Sequence, residues 1–148
     1  MSNDSMQDAQ KAAIRRYHDA GMSRRDVAAV LGEMDPKIGW YSVDGAFARH
    51  WYRGFDEVRA FLAAMFENTT SFTFHVSRLI ADPDVADVVV AEWENAAVFR
   101  DGASYENRGA TFFVFAPGTA KIREVRQYFD WGPLMARADW RASVGASV

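Results

Sequence analysis

The alternation of apolar and polar residues in the last third of the chain is typical of β-strands. A long run from Val88 to Phe99 mixes the two kinds of residue, and Asp101-Gly102 follows it directly. Asp-Gly between strand-forming residues is a strong signal for a hairpin turn. Further strand-like runs follow over 111–115 and 121–130, separated by a second turn. The pattern therefore predicts a three-stranded antiparallel meander at this end of the chain.

Helical periodicity marks the first half of the chain. Its clearest example is an apolar stripe at i, i+3, i+4, i+7 and i+8, which predicts a helix beginning near Phe55. The stripe consists of Val58, Phe61, Leu62, Met65 and Phe66. Weaker signals predict a helix over 6–20, a helix over 23–32, strands over 38–43 and 72–80, a loop over 44–51 and a short helix over 134–142.

Helices that come first and a meander that comes last, without strand–helix–strand alternation, indicate an α+β domain. We expect one domain spanning 1–148, with frayed tails at 1–5 and 143–148. Three N-terminal helices would pack in the concavity of a curved, mostly antiparallel sheet. This arrangement predicts a conical cavity between the helices and the sheet.

Composition narrows the possible functions. Apolar residues make up 49% of the chain and charged residues 25%, which argues against disorder. The net charge is −3 with Lys and Arg scattered, so a nucleic-acid partner is not expected. The chain has no Cys, and His18, His50 and His75 lack the spacing of a metal site. Without an apolar run long enough for a membrane span, we expect a cytoplasmic protein that acts away from membranes.

Two carboxylates interrupt the apolar run that begins the meander. Glu92 and Glu94 lie two residues apart, so they share one face of the predicted strand. If that face points inward, Glu94 is a candidate general acid or base whose pKa apolar walls would raise, and Glu92 is a candidate substrate-binding residue. The alternative is that both face solvent and pair across the sheet with Arg100, Arg108 or Arg126.

Amides and aromatics supply further candidate site residues. Asn107 shares a strand face with Gly109 and Thr111, and Gln127 shares one with Val125 and Phe129. Pointing inward, Asn107 and Gln127 would flank Glu94 and orient a substrate or water; otherwise they form a polar ladder that sets strand register. The aromatic content of 14% exceeds what a small core requires and favours an apolar pocket. Candidate pocket-lining residues are Trp40, Phe61, Met65 and Phe129.

Six segments of the sequence carry a resemblance to a known family: Tyr52–Val58, Glu92–Asn95, Asp101-Gly102, Tyr105–Asn107, Phe112–Phe115 and Lys121–Asp130. Through them the sequence resembles the polyketide-cyclase-like (SnoaL-like) branch of the nuclear-transport-factor-2-like superfamily over about residues 10 to 132. The resemblance implies a cone-shaped, cystatin-like fold and a homodimer that pairs through the sheet. The same superfamily includes ketosteroid isomerases, limonene-epoxide hydrolases, scytalone dehydratases and purely binding modules.

The resemblance also implies roles for individual residues. Tyr17 falls where ketosteroid isomerases keep the hydrogen-bonding tyrosine of their first helix, whereas Trp40 and Thr111 replace their two acids. The Arg-x-Asp pair of limonene-epoxide hydrolases falls on Glu92 and Glu94, and their second acid falls on Gln127. The resemblance thus implies Glu94 and Tyr17 as the catalytic pair, without the full machinery of either enzyme. His18, next to Tyr17, is expected to face solvent.

Two functional hypotheses follow. The first is a small cofactor-independent enzyme in which Glu94 transfers a proton and Tyr17, Asn107 and Gln127 position a lipophilic, oxygenated substrate. Isomerisation, cyclisation, dehydration and hydrolysis are all compatible with one carboxyl group. The second is a non-catalytic module that binds an apolar ligand or mediates dimerisation.

Overall fold

The computed structural model describes residues 2–42, 51–130 and 132–135. Helices precede most of the strands, as the sequence predicts. The helices are α1 (Asn3–Arg16), a π-helix (Tyr17–Met22), α2 (Val27–Gly32), α3 (Gly54–Glu67) and α4 (Gly132–Met135). The strands are β1 (Met34–Ser42), β2 (Trp51–Arg53), β3 (Thr69–Ala81), β4 (Val88–Phe99), β5 (Ser104–Phe115) and β6 (Ile122–Phe129).

The strands of the described residues form one sheet in the order β2-β1-β6-β5-β4-β3. Strand β1 runs parallel to β6, and the other pairs are antiparallel. The last four strands in chain order lie side by side, which confirms the predicted meander and adds β3 to its edge. The core lies between the inner face of this curved sheet and the helices, and it buries Ile14, Val30, Leu62 and Phe113. The predicted α+β class is therefore confirmed.

The turn at Asp101-Gly102 joins β4 to β5, as predicted. Gly102 has φ +86, a backbone conformation that favours glycine, and its N–H donates to the Phe99 carbonyl at 2.9 Å. Strand β5 begins at Ser104, well before the predicted position 111. The reason is that its first half pairs with β4 in continuous register, from Val98↔Ser104 to Val88↔Val114.

The N-terminal helix differs from the predicted span of 6–20. It begins at Asn3 because Ser2 caps it, its Oγ accepting from the Ser5 N–H at 3.3 Å. The predicted frayed segment 1–5 is therefore helical from Asn3 onward. The α-helix then widens into the π-helix, which includes Gly21 instead of ending there. A methyl group at Gly21 would lie 2.6 Å from Val30 Cγ2, so the glycine allows α2 to approach closely.

The second helix is shorter than the predicted 23–32. Its N-cap is Asp26, whose Oδ1 accepts from the Ala29 N–H at 3.0 Å. Ser23 is occupied elsewhere, since its Oγ accepts from the Phe74 N–H of β3 at 3.0 Å. Of the predicted helix over 134–142, α4 covers 134–135, and the rest lies outside the described residues. The predicted tail 143–148 and most of the predicted loop 44–51 also lie outside them.

No helix in the described part of the chain is both long and apolar enough to cross a membrane.

Candidate binding cavity

A small cavity lies between the inner face of the sheet and the helices. Its volume is about 30 Å³, close to the space that one water molecule occupies. Aromatic rings and methionines form most of its wall, and the amides of Asn95 and Gln127 interrupt it. The wall residues are Met22, Trp40, Phe61, Met65, Phe72, Phe74, Trp93, Asn95, Phe99, Tyr105, Gln127 and Phe129.

Strand β4 contributes Trp93 to the wall because β5 has no side chain opposite it. Trp93 pairs in register with Gly109, where a methyl group would lie 3.0 Å from Trp93 Cζ2 and 2.4 Å from the Tyr128 carbonyl oxygen. The indole Nε1 donates to Thr111 Oγ1 at 2.8 Å, which satisfies its one polar atom in the core. Gly109 and Thr111 thus hold the indole in place.

The structure places five residues suggested by the sequence in the cavity wall: Trp40, Phe61, Met65, Gln127 and Phe129. Trp40 Nε1 donates to Gln127 Oε1 at 3.3 Å, so the oxygen of this amide has a partner. The inward direction expected for Gln127 and Phe129 follows from the alternation of β6, in which Val125 is also buried.

Asn95 is a wall residue that the sequence reading missed. Its Oδ1 is buried and has no hydrogen-bond partner in the described part of the chain. Buried amide oxygens are nearly always hydrogen-bonded, and leaving one unpaired destabilises a protein. The signal that could have revealed Asn95 is its separation of two residues from Trp93, since strand alternation puts both on one face.

Asn107 directly faces Asn95 across β4 and β5, but its amide is fully engaged. Asn107 Nδ2 donates to the Tyr105 hydroxyl oxygen at 2.5 Å and to the Asp130 carbonyl at 2.7 Å. Burial raises the pKa of Tyr105 to about 12, so its hydroxyl is a neutral donor near pH 7. Asn107 therefore orients Tyr105 and ties the end of β6 to β5.

An open groove of about 780 Å³ adjoins the cavity. Phe74 and Asn95 line both spaces, so these two side chains separate the groove from the cavity. The groove is much more polar than the cavity. Its lining residues are Thr73, Phe74, His75, Glu94, Asn95, Ala96, Glu106, Asn107, Arg108, Asp130 and Pro133.

The prediction that Glu94 faces the cavity is wrong. Glu94 is exposed on the outer face of the sheet, in register with His75 on β3 and Arg108 on β5. The alternation of β4 buries Trp93 and Phe99 instead, because the face with the larger apolar area packs on the helices. Asn107 and Gln127 consequently do not flank Glu94 inside the cavity.

Glu92 lies on the same outer face, so its expected contact with a substrate in the cavity is also contradicted. Its carboxylate forms an exposed ion pair with Arg78 of β3, at 3.0 Å between Oε2 and the guanidinium. The alternative of cross-strand pairing with arginine thus holds for Glu92, although the partner is not one of the three arginines suggested by the sequence.

Tyr17 is buried beside the cavity wall and is not among the residues that line it. Its ring lies 6.0 Å from the Trp40 ring and 5.1 Å from the Phe113 ring, measured between centroids. Burial raises the pKa of its hydroxyl well above the usual value. The hydroxyl has no hydrogen-bond partner among residues 2–42, 51–130 and 132–135. The expected contact between Tyr17 and a substrate therefore has no direct geometric support.

The prediction that His18 faces solvent is wrong, since its relative exposure is 1%. His18 lies in the π-helix, whose wider turn changes which side chains share a face. Nδ1 donates to the Ile14 carbonyl at 2.9 Å, and the ring makes edge contacts with Phe74 and Phe113. Burial lowers the pKa of His18 to about 4, so the imidazole is neutral near pH 7.

The cavity wall has a chemistry suited to hydrogen bonding and apolar contact. Among the described residues, no Asp or Glu lines the cavity, and no group of His, Asp and Glu side chains could hold a metal ion. His75 is exposed on the outer face, and His50 lies outside the described residues. An internal proton transfer by a carboxylate is therefore unsupported, whereas neutral donors and an acceptor are present.

Solved structures with the same fold support this architecture. An NTF2-like protein of unknown function from Burkholderia pseudomallei has a TM-score of 0.73 and 18% identity, over 92% of this chain and 97% of that one. A protein assigned as a SnoaL-like polyketide cyclase, from Jannaschia sp. CCS1, has a TM-score of 0.70 and 17% identity, over 94% of each chain. TerC, co-crystallised with polyporic acid, has a TM-score of 0.70 and 18% identity, over 93% of this chain and 99% of that one.

Sequence comparison assigns the family. A search of curated proteins found no match. The family described as the SnoaL-like domain matches residues 14–125, which span the chain from α1 to β6. The chain therefore belongs to the SnoaL-like domain family.

Proposed function

We propose that this protein binds a flat, lipophilic small molecule that carries oxygen atoms, in the cavity between the sheet and the helices. The observation that carries the proposal is the composition of the cavity wall. Its aromatic rings and methionines favour a flat apolar molecule, and the amides of Asn95 and Gln127 offer hydrogen bonds to oxygen substituents.

The cavity must enlarge to admit such a ligand, because 30 Å³ is too small for a ring system. Met22 and Met65 are suited to this, since unbranched thioether chains adopt many conformations at low cost. Phe61 stacks on Tyr52 with 4.3 Å between ring centroids, and Tyr52 is half-buried. Rotation of these side chains would open space without moving the sheet.

The relative TerC supports a ligand of this class, because that protein was co-crystallised with polyporic acid. At 18% identity, the likeness shows a shared fold and makes polyporic acid a reasonable first probe.

Tryptophan fluorescence can test the proposal. Trp40 lies in the cavity wall. Trp51 is not a wall residue, and its ring stacks on that of Tyr41 with 4.5 Å between centroids. We expect saturable quenching by polyporic acid and a rise in Tm with ligand concentration. The quenching should shrink in Trp40→Phe and persist in the matched control Trp51→Phe.

Two outcomes contradict the proposal. One is the absence of both quenching and a Tm shift over a panel of lipophilic ketones, epoxides, phenols and polyporic acid. The other is quenching that is lost in Trp51→Phe and kept in Trp40→Phe, which would place the ligand outside the cavity.

A cofactor-independent acid–base enzyme is the second candidate. The observation that favours it is the position of Glu94, Glu106 and Asp130 in the groove that meets the cavity at Asn95. A carboxylate there could exchange a proton with the part of a ligand that extends into the groove. Incubation of each bound compound with the protein, followed by mass spectrometry, should reveal a product.

Conservative variants separate the two candidates. Conversion that falls in Glu94→Gln or Asp130→Asn, with binding unchanged, would support proton transfer from the groove. Conversion at the wild-type rate in both variants would remove these carboxylates from the mechanism. Binding without conversion of any compound would leave the binding module as the function.

We further propose that the protein forms a homodimer through the outer face of its sheet. Phe112 and Tyr128 are neighbours on this face, 5.5 Å apart between ring centroids, and they are 38% and 40% exposed. Ile80 of β3 is 49% exposed on the same face. It pairs in register with Val90 of β4, which in turn pairs with Phe112 of β5. A contiguous apolar surface of this kind is typical of a protein–protein contact.

A further inference from the structure

Asn95 and Asn107 occupy directly paired positions on the inner face of the sheet, but their side-chain amides differ in whether they are hydrogen-bonded. The amide of Asn107 donates two hydrogen bonds, and its Oδ1 accepts from the Arg108 N–H at 2.8 Å. The Oδ1 of Asn95 is buried and has no partner in the described ranges. A structural role in the sheet explains Asn107 and leaves Asn95 unexplained.

A neighbouring donor accompanies this acceptor. Tyr105 pairs with Ala97, so Asn95 and Tyr105 are diagonal neighbours on adjacent strands, within reach of one small ligand group. The hydroxyl oxygen of Tyr105 already accepts from Asn107. Its own proton has no acceptor within the described part of the chain, and Tyr105 is one of the residues that line the cavity.

We propose that Asn95 and Tyr105 together form the point at which the cavity recognises its ligand, Asn95 Oδ1 accepting from a ligand hydroxyl and Tyr105 donating to an adjacent ligand oxygen. The ligand class is therefore a flat phenol or enol that has a second oxygen beside its hydroxyl. This inference rests on the proposed binding function and narrows it, since ketones, ethers and epoxides without a hydroxyl leave Asn95 unpaired.

The position of Asn95 explains how such recognition would work. Asn95 lines both the cavity and the groove, so a ligand that passes between them meets this amide. A hydroxyl that pairs with Asn95 would replace an unpaired buried oxygen with a satisfied one, which favours the bound state over the empty one. A ligand without the hydroxyl gains only apolar contact.

A matched pair of probes tests the role of Asn95. 2-Naphthol and 2-methoxynaphthalene share one ring system and differ in the hydroxyl donor. We expect isothermal titration calorimetry to show that the wild-type protein binds 2-naphthol about fivefold more tightly, the effect of one neutral hydrogen bond. The preference should vanish in Asn95→Leu and persist in Glu92→Gln, a variant of an exposed residue on the outer face of β4 that lines neither the cavity nor the groove.

A second pair of probes tests Tyr105. 2,3-Dihydroxynaphthalene adds an oxygen beside the hydroxyl of 2-naphthol, and it should bind the wild-type protein more tightly. Tyr105→Phe should remove that gain while keeping the preference for 2-naphthol over its methyl ether. An undiminished gain in Tyr105→Phe would overturn the assignment of the donor.

Thermal unfolding without ligand separates recognition from a structural role. Because Oδ1 of Asn95 is unpaired within the described residues, Asn95→Leu should match or exceed the wild-type Tm while losing the hydroxyl preference. A marked fall in Tm, or a preference that survives in Asn95→Leu, would overturn the inference.

The inference also fails if the wild-type protein binds polyporic acid, the probe of the proposed function, and neither naphthalene compound. If the wild-type protein binds none of the probes, the proposed function itself fails.

Discussion

His18 shows how one side chain can couple the stability of this protein to pH. Its imidazole is enclosed by the rings of Tyr17, Phe74 and Phe113, and its Nδ1 donates to the Ile14 carbonyl. A positive charge in this environment would lose its hydration without gaining an anionic partner among the described residues. Burial therefore keeps the imidazole neutral and lowers its pKa to about 4.

We predict that acid weakens the wild-type fold through His18. In the unfolded chain a histidine binds its proton near pH 6.5, whereas folded His18 does so near pH 4. Between these values the unfolded state holds more protons, so stability rises with pH and falls on acidification. Relative to His18→Gln, the wild-type free energy of unfolding should fall by about 3 kcal/mol from pH 7 to pH 4.

Urea unfolding at a series of pH values would measure this difference. Glutamine can still donate to Ile14 and does not titrate, so the variant serves as the control for His18. A difference in the free energy of unfolding between the two proteins that stays constant from pH 7 to pH 4 would contradict the prediction. It would mean that His18 accepts a proton in the folded state about as readily as in the unfolded state.

At the scale of elements, the contact between the π-helix and α2 depends on Gly21. A side chain at this position would meet Val30, at 2.6 Å from Cγ2 and 3.2 Å from the backbone. Val30 is fully buried, so it cannot move aside without disturbing the core. The absence of a side chain at Gly21 therefore sets the distance between the two helices.

We predict that Gly21→Ala lowers the free energy of unfolding by about 1–3 kcal/mol, the usual effect of overpacking a core. Gly32 at the end of α2 is the matched control, because no described atom lies within 4 Å of a methyl group there. Gly32→Ala should be neutral or slightly stabilising. Thermal unfolding of both variants would check the prediction, and equal destabilisation would show that crowding against Val30 is not the cause.

At the scale of the whole molecule, the outer face of the sheet determines whether the proposed dimer forms. We predict that the wild-type protein is a dimer in solution and that Phe112→Lys and Tyr128→Lys shift it to a monomer. A lysine introduces a charge where two apolar faces would meet, and burying an unpaired charge is unfavourable. Light scattering coupled to gel filtration would measure the mass.

Ala60→Lys provides the control for this prediction, since Ala60 is exposed on α3, away from the outer face of the sheet. This variant should remain a dimer. A wild-type protein that runs as a monomer at all concentrations would refute the proposed interface. A dimer that survives both outer-face substitutions would place the contact on another surface.

Much of the fold could be predicted from local patterns, because those patterns act over short distances. The stripe from Val58 to Phe66 specifies one buried helix face, and Asp101-Gly102 specifies a hairpin.

The candidate site was less predictable. Trp40, Phe61, Met65, Gln127 and Phe129 lie in the cavity wall as suggested, while Glu94 does not and Asn95 was missed. The family resemblance placed Glu94 inward, although alternation with Trp93 favours the opposite face.

The sequence by itself determined the fold class, the meander and the family of this protein, because periodicity and turn residues are properties of adjacent positions. Only the tertiary structure decided which face of β4 packs on the helices, that His18 is buried, and that the cavity is nearly filled. A strand of period two has two possible inner faces, and the choice between them minimises exposed apolar area over the whole molecule. That choice depends on residues far apart in the chain, which no local pattern contains.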